Sequence, residues 1–197
     1  MIQDVAPLIE TARLRLRNFR EDDLETWAAA MADPEVVRYL GASPFSREDS
    51  WRRILCAPGL WTILGYGYWA VERRDDGMLI GQVGFADYKR AMEPSIEGLP
   101  EMGWIFAPHA HGQGFAGEAV AVGLAWADEA LKAPEIVAII DPENRPSIRV
   151  AERAGFGEVQ EARYRDEPIL LYRRRLGAIS GRMESSDDSE NHNKSGV

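Results

Sequence analysis

Residues 104–117 read Trp-Ile-Phe-Ala-Pro-His-Ala-His-Gly-Gln-Gly-Phe-Ala-Gly, an apolar strand running into a glycine-rich turn that opens a helix. Three glycines in six residues let the backbone approach a ligand closely. The helix that follows aims unpaired N–H groups and the positive end of its dipole at an anion, so the turn is read as a phosphate site. Gly112, Gly114 and Gly117 literally satisfy the dinucleotide pattern G-x-G-x-x-G. The apolar run Ile136 to Ile140 ends in Asp141, near where a ribose-binding acid belongs. Position argues against that match. A dinucleotide domain begins with this unit and needs several strands after it, whereas here the turn lies past mid-chain and little foldable sequence follows Asp141. A dinucleotide-binding protein is kept only as an alternative.

With 197 residues and 45% hydrophobic content the chain suits one domain with a substantial core, expected over residues 1–176. No stretch approaches the roughly 20 apolar residues needed to span a bilayer, and Met-Ile-Gln-Asp-Val lacks the basic start of a signal peptide. The expectation is a cytoplasmic protein with no membrane partner. The single cysteine, Cys56, cannot form an internal disulfide and has no motif around it, so it is read as an inert thiol. A net charge of −9 repels a polyanionic backbone, which argues against nucleic acid. The same charge suits a basic substrate, although acidity for solubility alone explains it equally. Monomer and homodimer both stay open.

Arg13 to Phe19 alternates apolar and basic residues as a half-buried strand does. Glu21-Asp22-Asp23 starts a helix carrying Leu24, Trp27, Ala28 and Met31, Asp33-Pro34 starts a short one ended by Gly41, and Ser46 another around Trp51 and Ile54. Tyr66 to Glu72 and Met78 to Phe85 flank Asp75-Asp76-Gly77 as a hairpin. Met102 to Phe106 is a strand, about 115–131 a helix, Ile136 to Ile140 a buried strand and Pro146 to Ala154 a helix stopped by Gly155. Phe156 to Ala162 with Pro168 to Arg174 form a last antiparallel pair. Residues 177–197 have almost nothing to bury and are expected to be a disordered tail.

Three segments carry a family resemblance. The first is Leu8-Ile-Glu-Thr-Ala-Arg-Leu-Arg-Leu-Arg with Asp33-Pro34-Glu-Val-Val-Arg-Tyr-Leu-Gly41, the second Glu101-Met-Gly-Trp-Ile-Phe with His111-Gly-Gln-Gly-Phe-Ala-Gly-Glu-Ala119, and the third Asn144-Arg-Pro-Ser-Ile-Arg-Val-Ala-Glu-Arg-Ala-Gly-Phe156. Together they resemble the GCN5-related N-acetyltransferase (GNAT) superfamily, within it the ribosomal-protein N-terminal acetyltransferase (RimJ/RimL-like) branch. The resemblance implies an α/β fold with a mixed, mostly antiparallel central sheet flanked by helices, and a splayed strand pair forming an acetyl-CoA cleft. Backbone groups near Trp104, Ile105 and Phe106 would bond the pantetheine arm as an added strand does. The loop of His111, Gly112, Gln113, Gly114, Phe115, Ala116 and Gly117 would take the pyrophosphate, and Asn144 the pantetheine amides. His111 departs from the Arg or Gln common at that position, which makes its phosphate contact weaker or pH-dependent. His109 and His111 have neither Cys nor an acidic cluster beside them, so no metal is expected.

Acetyl transfer from a thioester to an amine needs a neutral amine, a stabilised oxyanion and a proton for the departing thiolate. Glu101 is the candidate base, with Glu93 and Glu97 in reserve; the plain alternative is a solvated carboxylate at a strand edge. Where much of the superfamily carries an acid tyrosine, this chain has Ala151. Ser147 is the candidate acid, and it equally suits a local helix-start bond. Glu118 is read as an acid favouring the helix N-terminus. Tyr66, Tyr68, Trp69, Trp51, Trp61 and Phe45 are read mainly as core, with some walling an acceptor pocket. The expected activity is direct transfer from acetyl-CoA to a primary amine, a protein N-terminus or a small molecule. The missing tyrosine motivates a noncatalytic acyl-CoA sensor as the alternative.

Overall fold

The computed structural model describes residues 5–40 and 43–176. The expected tail at 177–197, and Gly41 at the end of its short helix, lie outside these residues. Eight strands form one sheet among them: β1 (Ile9–Glu10), β2 (Leu14–Arg17), β3 (Tyr68–Arg73), β4 (Leu79–Ala86), β5 (Glu101–Phe106), β6 (Glu135–Ile140), β7 (Glu158–Tyr164) and β8 (Glu167–Arg175). Their order is β1-β2-β3-β4-β5-β6-β8-β7. Every neighbouring pair is antiparallel except β5 with β6. A dinucleotide fold needs a parallel, doubly wound sheet, so this topology removes that alternative.

Strand β2 shows how the alternation works. Leu14 and Leu16 are fully buried on one face, in the main core. On the other face Arg17 is also buried, because Asp23 takes both of its terminal nitrogens at 2.7 and 2.8 Å and Glu72 its Nε at 2.6 Å. Such a dry network is tolerable only because its charges are paired and bonded.

The helices are α1 (Leu24–Met31), α2 (Pro34–Val37), α3 (Arg47–Leu64), α4 (Phe115–Ala130) and α5 (Arg145–Arg153). Ser46 caps α3 by accepting the Asp49 N–H, and Gly65 ends it in the left-handed conformation. This helix is far longer than the segment around Trp51 and Ile54 suggests, since it continues through Pro58 for six more residues. Leu24, Trp27, Met31 and Ile54 bury against Ala70 and Leu79 on one sheet face. Helices α4 and α5 cover the opposite face. There Phe115, Val120, Leu124 and Ile148 pack with Trp69, Val83, Met102, Phe106 and Ile136. Arg174 on β8 holds Asp128 of α4 with two bonds of 2.7 and 2.6 Å. The loop between β4 and β5 crosses beneath the sheet, where Met92 and Ile96 pack on Val137 and Leu171.

Candidate active site

The parallel pair β5 and β6 is where the sheet opens. Its register holds one pair, Glu101 with Val137, beside a bond of 3.0 Å from the Val137 N–H to the Pro100 carbonyl. On its other side β5 meets β4 in six successive pairs. The Ala107 N–H bonds the Ile80 carbonyl at 2.9 Å, which fixes the odd-numbered residues of β5 as those whose backbone groups face β4. Ile105 is therefore spent in the ladder opposite Gln82, and its side chain packs toward α1 and α3. Even-numbered residues turn their backbone groups to the open seam. Of the three residues expected to bond a pantetheine arm, Trp104 offers its backbone there. The Phe106 carbonyl already accepts a bond from His111 Nε2 at 2.9 Å.

Both parallel strands run at their C-terminal ends into turns that start helices, so the N-termini of α4 and α5 flank the mouth of the seam. At the first, Gly112 and Gly114 have φ of 74° and 79°, which L side chains rarely adopt. The Glu118 N–H bonds the Gly114 carbonyl, so the N–H groups of Phe115, Ala116 and Gly117 precede the helical ladder. Phe115 is buried and anchors the turn; Ala116 is half-buried. A Cβ added at Gly117 would meet nothing within 4 Å. The protein's own packing thus leaves that position open, which suits a cradle for a ligand.

The turn's polar side chains, though exposed, bond the protein's own backbone. His111 spends its Nε2 proton on Phe106, since a carbonyl only accepts, and Gln113 donates to the His109 carbonyl at 2.7 Å. This internal bond takes Nε2 of the ring expected to contact phosphate, and the backbone N–H groups are the donors the turn presents. Arg13, at the approach to β2, completes the turn. It donates to the Gln113 carbonyl at 2.9 Å and to Glu118 at 2.7 Å, and lies 4.7 Å over the Phe115 ring. Thr11 also bonds Glu118. Partial burial works against charge on Glu118, yet the bonds from Thr11 and Arg13 outweigh it and hold the carboxyl below its usual range. This is more than the dipole role expected from sequence.

At the second helix, Asn144 is the cap. Its Oδ1 accepts the Ser147 N–H at 3.1 Å, with Pro146 in the first turn. Ser147 is half-buried, one residue before the buried Ile148. Ala151, standing where the family's tyrosine would be, is fully buried in the core.

At the closed end of the seam Glu101 is 5% exposed, and both its oxygens accept bonds from Arg90 at 2.6 and 2.8 Å. Arg90 lies 5.1 Å over the Tyr88 ring and 4.7 Å over that of Tyr164. Burial disfavours its charge, but the bonds to Glu101 and Tyr164 prevail and raise its pKa. Tyr68 lies across the sheet with its hydroxyl 2.6 Å from where a Cβ on Gly103 would sit. That hydroxyl bonds Tyr88, and burial, with Glu101 nearby, pushes its pKa well above the usual value. It remains a donor at any working pH. Trp61 and Trp69 are core, stacked edge-on at 4.7 Å. Glu93 and Glu97 are exposed, in the loop that carries Arg90. Sequence reasoning missed Arg13 and Arg90, which stand 105 and 11 residues from the carboxylates they hold, spacings that no local pattern encodes.

Comparisons with known proteins agree with this geometry. The model of the Acetyltransferase (GNAT) domain matches residues 13–157. The uncharacterized N-acetyltransferase YoaA of Bacillus subtilis is 30% identical over 155 residues, 76% of this chain and 82% of that protein. A solved acetyltransferase from Agrobacterium tumefaciens superposes with a TM-score of 0.72 at 30% identity, over 85% of this chain and 94% of that one. The ribosomal-protein-S5-alanine acetyltransferase of Vibrio fischeri shares the fold, with a TM-score of 0.67 at 22% identity over 87% and 98% of the two chains.

Proposed function

The chain belongs to the GNAT acetyltransferase family and is an acetyl-CoA-dependent acetyltransferase, and from that premise we propose that it moves the acetyl group directly to a primary amine, a protein N-terminus or a small-molecule amine, within a ternary complex. The observation that carries the reading is the opened seam. Trp104 directs its backbone into it, and the starts of α4 and α5 flank its mouth. A pantetheine arm needs amide partners along one side and its pyrophosphate needs N–H donors at one end, and this arrangement supplies both.

The attacking amine forms a C–N bond to the thioester carbonyl, the C–S bond breaks, and the thiolate takes a proton. An alkylammonium has a pKa of about 10, so at neutral pH it must first lose a proton. Glu101 serves that step. Arg90 fixes both carboxylate oxygens, and each retains a lone pair for the ammonium or for a water that relays its proton. Both oxygens are already held by Arg90, so the part of the carboxylate is to orient and relay. The Ser147 hydroxyl donates to the departing thiolate, and Asn144 shapes the turn that presents it.

The relative that acts on ribosomal protein S5 shares the fold, and peptides with free N-termini are accordingly the first acceptors to try. The test is an acceptor screen by mass spectrometry across such peptides, polyamines, aminoglycosides and amino acids, with thiol release measured alongside. Acetylated product supports the reading. Tight CoA binding with no product from any amine would turn it into an acyl-CoA sensor.

A further inference from the structure

We propose that Arg13 is a positioning residue of the phosphate turn: it fixes the Gln113–Gly114 peptide and neutralises Glu118, so that an arriving pyrophosphate meets donors without a facing negative charge. The inference rests on the acetyl-CoA reading above. Glu118 stands in the first turn of α4, where its carboxylate would cancel the positive end of that helix. Arg13 closes both of its near bonds, holding Glu118 through Nε at 2.7 Å and through a second terminal nitrogen. Its remaining terminal nitrogen takes the Gln113 carbonyl at 2.9 Å. A peptide whose carbonyl is bound on one side turns the following N–H, that of Gly114, to the other.

The guanidinium has a rigid foundation. The Thr11 hydroxyl accepts the Arg13 and Leu14 N–H groups at 3.2 and 2.8 Å while bonding Glu118, and Arg74 binds the Thr11 carbonyl. The Phe115 ring lies under the guanidinium plane, and the Arg13 side chain is still 48% exposed. A surface arginine that only stabilised a helix would need one carboxylate. Here three partners, the Gln113 carbonyl before α4 and Phe115 and Glu118 on it, converge on a turn that the core does not require to be glycine-rich at Gly117.

Calorimetric titration of CoA into wild type, Arg13→Ala, Arg13→Lys and the double variant Arg13→Ala/Glu118→Gln tests this. Arg13→Ala should weaken CoA about tenfold, the loss expected for a charge-assisted bond. Arg13→Lys should stay within about threefold of Arg13→Ala, because a point charge cannot hold a carbonyl and a carboxylate in one plane. The double variant should recover about threefold, since it removes the uncompensated carboxylate. Binding stoichiometry should stay at wild-type level and melting temperature within about 3 °C, as suits a half-exposed ion pair, which excludes global unfolding as the cause. Arg13→Ala binding CoA within twofold of wild type would overturn the inference alone. Full rescue by Arg13→Lys would reduce it to charge and overturn the clamp. A wild type that does not bind CoA would overturn the acetyl-CoA reading as well.

Discussion

Strand β5 has two seams, and they are opposites. Toward β4 it is closed over six pairs, and at Gly84 and Gly103 the sheet carries no Cβ, so that Tyr68 lies flat across it. Toward β6 it is closed by one pair and then diverges. The first seam holds a strand in place; the second leaves the same strand's other backbone edge open, as the proposed cofactor site requires. Glycine marks the first seam and the helix start at the mouth of the second, for different reasons. At Gly84 the protein itself occupies the space a side chain would need, whereas at Gly117 that space is empty.

The largest effect should come from the closed seam. A Cβ at Gly84 would stand 2.2 Å from the Gly67 carbonyl oxygen and 2.5 Å from the Tyr68 Cα, both backbone atoms that cannot swing away. Gly84→Ala should cost about 3 kcal/mol of stability in urea unfolding, and a wild-type midpoint would break the contrast. Next is Glu101→Gln, where the seams part. It leaves Arg90 half-bonded at about 2 kcal/mol. It should also lower turnover more at pH 6 than at pH 8, because more of the amine is protonated there, with CoA affinity within twofold. An equal loss at every pH would take Glu101 out of proton transfer. On the open side, Gly117→Ala should raise stability by about 0.5 kcal/mol, as alanine does in a helix, while weakening CoA about tenfold. Unchanged CoA affinity would leave Gly117 without a functional reason. Ser147→Ala should slow turnover about fivefold with little change in affinity; loss of affinity alone would make the residue a cofactor contact.

The smallest effect concerns Glu118. Its carboxyl is held below the usual value of 4.5 in the folded protein, so its contribution is present above that value and fades as pH falls through the folded one. Glu118→Gln should therefore cost about 0.5 kcal/mol at pH 7 and less at pH 3. Urea titrations at the two pH values decide it, and a constant difference would mean that packing rather than charge is responsible.

The glycine turn, the strands on either side of it and the Asn144 to Ser147 helix start were legible because each rests on local chemistry: φ at Gly112 and Gly114, a cap, a proline in the first turn. Strand β2 was legible from alternation, although Arg17 is buried where an exposed residue was expected, since its partner Glu72 is 55 residues away. Helix α3 runs well past the segment around Trp51 and Ile54 because the buried Ala57 and Trp61 extend its apolar face through Pro58. Two-residue β1 carries too few positions for any period to show. The site's charges were the least legible part. Arg90 reaches Glu101 across a long loop, and His111 Nε2 satisfies a carbonyl five residues back, choices set by where the backbone turns.

That loop has a consequence for how the molecule comes together. Met92 and Ile96 find their apolar partners, Val137 and Leu171, only in the last third of the chain, and Glu93 bridges to Arg163. A nascent chain that has completed β1 through β5 therefore still carries this loop undocked, and Arg90 lacks the Tyr164 ring that sandwiches it. The setting of Arg90 and Glu101 is then complete only once the C-terminal hairpin is in place, through contacts of high sequence separation. Pulse-labelled hydrogen exchange during refolding should find the amides around residues 88–99 protected after those of β3 and β4, and in step with β8.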